Sequence, residues 1–145
     1  MKEYDIGFNL GWGDIMFSWK QDYVLGVQVI DEQHKKLFEI AERAYGLLKD
    51  DFRTDKYDEI VRIIGELKEY TIFHFKTEEE YMMSIGYRKL LSHKVFHNDF
   101  IENINNVKLS NIDNNQDEYI MELLGFVAKW IDEHILEQDK QIITA

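Results

Sequence analysis

Not one proline interrupts the 145 residues of this chain. Proline removes a backbone donor and clashes with the turn before it, so it ends or kinks a helix. A chain without it has no forced break. Long helices then follow wherever apolar residues recur at the right period. Four stretches meet that condition, with apolar side chains at steps of three and four. The first starts near Asp31, a good N-cap, and runs to about Asp50, with His34, Leu37, Phe38, Ala41, Tyr45 and Leu48 on its apolar face. The second starts near Thr54 or Asp55 and ends before Gly86, a residue suited to close a helix. Its face is Ile60, Ile63, Ile64, Leu67, Thr71, His74, Glu78, Tyr81 and Ile85. The third runs from about Arg88 to Lys108, with Leu90, His93, His97, Phe100, Ile101, Ile104 and Val107 inward. The fourth runs from about Asp117 to Leu136, with Ile120, Leu123, Leu124, Val127, Ile131 and His134 inward.

The stretch "LSNIDNNQ", Leu109 to Gln116, is a turn-rich connector. Short connectors between long amphipathic helices make neighbours antiparallel. The expected fold is therefore all-α, an up-down-up-down four-helix bundle. An N-terminal arm, residues 1–30, precedes it. Trp12, Phe17, Trp19 and Tyr23 give that arm enough aromatic surface to pack on the body. Strand-like alternation is confined to "YVLGVQVI", Tyr23 to Ile30. At this length residues 1–145 read as one domain, with the bundle spanning about 31–139.

Charge and composition exclude several functions. Lys and Arg number 17 against 28 Asp and Glu, a net charge of −11. Such a domain repels phosphate backbones and anionic membrane surfaces, so nucleic acid and membrane are not expected partners. The N-terminus lacks the apolar core of a signal peptide, and no later window approaches a membrane span. The expected location is the cytoplasm. Cysteine is absent, which excludes disulfides, thiolate ligands and cysteine nucleophiles. The glycines are scattered and form no phosphate-binding loop.

All five histidines, His34, His74, His93, His97 and His134, fall on the apolar stripes. One histidine in such a place is usually a core residue with a hydrogen-bond partner. Five are different, because burying an imidazole without a partner costs roughly one to several kcal/mol. Their depths also agree. His34, His93 and His97 begin their helices, and His74 and His134 end theirs, so an antiparallel bundle gathers all five at one end.

The run "TEEE" beside His74 divides by helix angle. At about 100° per residue, Glu78 lies roughly 40° from His74, while Glu79 and Glu80 lie more than roughly 100° away. Only Glu78 shares the histidine's face, and Glu79 and Glu80 read as solvated charge. His93 and His97, four apart, can serve one metal together. Asp139 follows His134 by five residues, and a chain end curling there would return its carboxylate to the cluster. Asp132, Glu133 and Glu137 lie close by as alternatives.

Imidazole with carboxylate suits iron, zinc, copper or manganese. Seven such ligands exceed one ion, whereas two ions bridged by two carboxylates use them all. If Glu78 and Asp139 bridge, a metal with three histidines is saturated and one with two keeps an open position. No histidine has a glutamate three residues before it, which disfavours the other di-iron bundle class. His-Glu-x-x-His is absent too, which excludes that zinc-protease motif.

The segments "GVQVIDEQHKKLF", "HFKTEEEYM", "HKVFH" and "WIDEHILEQD" resemble, in order and spacing, the successive signatures of the bacterial single-domain hemerythrins. The resemblance covers about Trp19 to Asp139 and leaves the first dozen or so residues outside the pattern. It implies a non-haem di-iron centre, two iron ions with a bridging oxygen, that binds O2 reversibly as hydroperoxide. By motif position, His93, His97 and His134 would hold the saturated iron. His34 and His74 would hold the iron with the open position, and Glu78 and Asp139 would bridge. Leu37, Phe75, Phe100, Trp130 and Ile131 occupy positions similar to the family's apolar oxygen pocket, where dryness slows irreversible oxidation. The implied role is storage, delivery, scavenging or sensing, the last with a separate output partner. The alternatives are an enzyme that reduces peroxide, O2 or nitric oxide, and a bundle with a structural zinc.

Overall fold

Each of the four apolar stripes is a helix in the computed structural model, which describes residues 19–50, 55–106 and 116–144. These are α1 (Gln28–Leu48), α2 (Tyr57–Ser84), α3 (Leu90–Asn105) and α4 (Gln116–Glu133). α4 passes directly into a π-helical turn, His134–Asp139, and then a short helix α5, Lys140–Thr144. Trp12, Phe17, Thr54, Val107 and the connector from Leu109 to Asn115 lie outside the described residues.

Side-chain contacts set the helix directions. Gln33 at the start of α1 meets Thr77 near the end of α2, at 3.2 Å. At the opposite end, buried Lys56 just before α2 donates to the Leu48 carbonyl that ends α1 (3.4 Å) and to Asp117 at the start of α4 (2.6 Å). Glu79 late in α2 meets His97 in the first half of α3, at 2.8 Å. Each helix thus runs against its neighbours, as an up-down-up-down bundle requires. Trp19 and Tyr23 pack the described part of the arm onto α1: Tyr23 stacks on Phe38 at 5.2 Å, and its hydroxyl donates to Asp132 at 2.5 Å.

The ends of the elements differ from the expectation in instructive ways. α1 begins at Gln28, one turn before Asp31. Asp31 instead accepts the backbone N–H groups of Leu25 (2.9 Å) and Gly26 (3.1 Å), pinning the turn that Gly26 makes at φ 87°. The alternation in Tyr23 to Ile30 is therefore no strand. It spans a 3-10 turn (Gln21–Tyr23), the Gly26 bend and the first turn of α1. Asp55 does act at the start of α2, accepting the Tyr57 N–H at 3.0 Å. α2 closes as a Schellman motif: Tyr87 N–H bonds the Met82 carbonyl (2.9 Å), Gly86 N–H bonds that of Met83 (3.1 Å), and Gly86 has φ 65°. Met82 and Tyr87 pack together inside, with Ile142 of α5, so Ile85 is turned outward and exposed. The fourth helical run continues beyond Leu136 to Thr144.

One continuous core fills the middle of the bundle. Phe100 is 1% exposed, lies 4.3 Å from Trp130 and stacks on Phe126 at 5.5 Å. Phe100→Ala should cost about 3–5 kcal/mol of unfolding free energy in a denaturant titration, because a buried ring is lost and a cavity left. A loss below about 1 kcal/mol would mean that the site refills. No described helix is long and apolar enough to cross a membrane.

Candidate metal centre

The antiparallel register brings seven side chains to one end of the bundle. His34 comes from the second turn of α1, His74 and Glu78 from the second half of α2, and His93 and His97 from the first half of α3. His134 and Asp139 stand at the two ends of the π-helical turn. Glu78 and Asp139 are fully buried, and no histidine of the five is more than 5% exposed.

Their distances divide the cluster in two. Glu78 Oε1 lies 2.7 Å from His93 Nε2, 3.1 Å from His97 Nε2 and 3.8 Å from His134 Nε2. Its other oxygen, Oε2, lies 3.3 Å from His74 Nε2 and 3.6 Å from His34 Nε2. Asp139 repeats the division. Its Oδ1 meets His93 Nε2 (2.9 Å) and His134 Nε2 (3.2 Å), while Oδ2 meets His34 Nε2 (3.1 Å). Glu78, His93, His97, His134 and Asp139 offer ligand atoms all within 4.8 Å of one another, and so do His34, His74, Glu78 and Asp139. Each carboxylate thus gives one oxygen to each group.

The π-helical turn explains how Asp139 arrives. In a regular α-helix a residue five positions on is rotated roughly 140° away. The wider i→i+5 winding of a π turn brings it back under His134. Asp132, Glu133 and Glu137, the other carboxylates nearby, remain at least partly exposed and outside both groups.

Glu78 Oε1 is within hydrogen-bonding distance of His93 and His97, but much of the cluster stays unpaired. His34 Nε2, Glu78 Oε2 and both Asp139 oxygens are buried and unpartnered despite these short separations. His134 Nε2 lies 3.1 Å from the Nε2 atoms of both His93 and His97. Nitrogens and oxygens aimed at common points, rather than at each other, suit a cation at each point. Charge agrees with this. Burial alone pushes both carboxyls up, and Glu78 repels Asp139, yet the surrounding imidazoles outweigh this and hold both below the ordinary carboxylate range. Burial pushes His34 and His93 down, but contact with Asp139 and Glu78 prevails and takes each up to about 9. His134 is raised in the same way, while burial keeps His74 low despite Glu78. Without metal, protons on imidazole balance two buried carboxylates, and a metal takes the place of those protons.

Two outer partners were not foreseen from the sequence. His74 Nδ1 meets Gln33 Oε1 at 2.8 Å. His97 Nδ1 meets Glu79 Oε2 at 2.8 Å, and Glu79 Oε1 lies 3.8 Å from Lys94 Nζ. Glu79 is therefore not simply solvated charge. It turns away from the face of His74, but α3 runs alongside and supplies a histidine to it. Gln33 adjoins His34 in sequence, which was the one local signal available; its burial emerges only in the fold.

Of the five apolar positions, Phe75 stacks flat on the His97 ring at 3.8 Å, Trp130 stacks on His134 at 4.3 Å, and Phe100 lies against both Phe75 and Trp130. Leu37 and Ile131 are buried in the same core.

A family model, the hemerythrin HHE cation binding domain, matches residues 25–145. The chain is 53% identical over 128 residues to a bacteriohemerythrin of Clostridium acetobutylicum, covering 88% of this chain and 99% of that one. It is 32% identical over 127 residues to a bacteriohemerythrin of Pseudomonas paraeruginosa, covering 88% and 79%. A hemerythrin-like protein of Naegleria gruberi is 25% identical over 123 residues, covering 85% and 87%.

Proposed function

The chain belongs to the hemerythrin family, and from that premise we propose that its metal-binding cluster holds two irons and binds O2 reversibly. The observation that carries this is that two carboxylates belong to both ligand groups, each with one oxygen on the three-histidine side and the other on the two-histidine side. His93, His97 and His134 would complete one ion's ligand set, and His34 and His74 the other's, with Glu78 and Asp139 common to both. When bound, a ferrous pair would supply the two electrons that O2 takes up.

The chain's own residues do the remainder. Glu78 and Asp139, held from separate helical segments, would keep the two ions at a set separation. Leu37, Phe75, Phe100, Trp130 and Ile131 would exclude water, which disfavours the escape of charge from the centre. Storage, delivery, scavenging and sensing all draw on this same reversible binding. The enzyme alternative, reduction of peroxide, O2 or nitric oxide, calls for a proton donor beside the two-histidine side. Glu79 stands behind His97, on the other side, and so does not favour it. We take residues 1–145 as a single such domain acting in the cytoplasm, its net charge of −11 weighing against nucleic acid as a partner.

Protein loaded with ferrous iron without air and then given O2 should show a charge-transfer band in the visible and a matching O–O vibration, both lost on deoxygenation. Conversion at once to a stable diferric form with no such band would favour turnover over carriage. One zinc per chain in metal analysis would sink both.

A further inference from the structure

Behind the seven inward-facing groups, hydrogen bonds run outward from two histidines, and they end on different chemistry. The chain behind His74 has only one consistent direction. The Thr77 hydroxyl has a single proton, and it donates to the Phe73 carbonyl at 3.1 Å. Its oxygen must therefore accept the contact at 3.2 Å from Gln33, which places the Gln33 amide nitrogen there. The amide oxygen then faces His74, at 2.8 Å. That oxygen can only accept, so His74 carries its proton on Nδ1 and turns the Nε2 lone pair toward Glu78. Behind His97 stands a carboxylate, which likewise only accepts, so His97 also carries its proton on Nδ1. Lys94 on the far oxygen of Glu79 helps hold it in place.

We propose that Gln33 and Glu79 are positioning residues that tune the two halves of the centre unequally, a neutral amide locked by Thr77 behind His74 and a carboxylate backed by Lys94 behind His97. Both fix the tautomer and ring orientation that a metal ligand needs. They differ in what else they do. A carboxylate draws the Nδ1 proton toward itself and makes the opposite nitrogen the stronger donor. An amide orients the ring and adds little charge. The three-histidine half is thereby the more electron-rich, and the two-histidine half keeps the greater appetite for a further ligand. This inference rests on the two-metal reading of the cluster, and its test separates the two.

The test is a cobalt(II) titration of the metal-free full-length chain, followed by visible absorption, with a thermal melt of each metal-free variant as the folding control. Wild type should take up two cobalt ions. Glu79→Ala and Gln33→Ala should each weaken uptake of one ion by about 10–100-fold. Glu79→Gln, which can still accept the His97 proton, should regain most of the affinity. In the iron-loaded protein it should also raise a reduction potential, and Gln33→Glu should lower one. Thr77→Val, which touches neither ion nor ligand, should weaken uptake in the same direction as Gln33→Ala by freeing the amide to flip. Variants that bind both ions with wild-type affinity would overturn the inference and leave the two-metal reading intact. Wild-type protein that takes up no cobalt would sink both.

Discussion

Glu78→Ala should abolish paired metal binding, with metal content falling from two ions per chain to at most one weakly held ion. The reason is geometric. Among the described residues, Glu78 alone touches all five histidines, through Oε1 on one side and Oε2 on the other. It is fully buried, and the polar cavity left by its truncation could admit water but would lack a carboxylate with one oxygen for each side. The loss should exceed the roughly 10–100-fold typical of an outer partner. Glu79→Ala is the internal comparison: it should keep two ions at reduced affinity, although the two residues are adjacent in sequence. Metal analysis after dialysis, with absorption spectra of the loaded variants, would decide. A Glu78→Ala protein with two ions and an unchanged paired-metal spectrum would refute the assignment of Glu78.

Removing the metal should lower the thermal midpoint substantially. An ion that binds only the folded chain, present at a thousand times its dissociation constant, stabilises by about 4 kcal/mol. For a chain of this size that corresponds to roughly 8–16 °C, before any second ion is counted. The stripped cluster has buried oxygens and a buried imidazole left without partners, which adds to the loss. The effect should concentrate at the site end, where α5 lays Ile142 over Met82 and Tyr87. Calorimetry with and without a strong chelator would measure it, and Glu78→Ala should show little further drop on chelation. An unchanged midpoint for wild type would mean that no ion is held.

Much of this architecture could be read along the chain. A helix turns at a constant angle, so the face a residue occupies depends only on its spacing from its neighbours. That is why Leu37, Ile64, Phe100 and Val127 could be placed inside without a structure, and why Glu78 could be separated from Glu79 and Glu80. The alternation of helix direction then put five histidines at one depth. Ile85 shows where this rule stops. Its spacing is right, but the Schellman turn ends the helix there, and Met82 and Tyr87 take the interior instead.

The helices, their inward faces and the set of imidazoles with their first carboxylate are legible along the chain, because these follow from local period and from the cost of burying polar groups. Helix geometry left the acid beside His134 open; motif resemblance pointed to Asp139, and the folded chain adds the π-helical turn that carries its carboxylate back to the cluster. Only the tertiary structure decided that Gln33 stands behind His74 and Glu79 behind His97. Those pairings depend on the axial register between helices, a relation between two segments that neither carries alone.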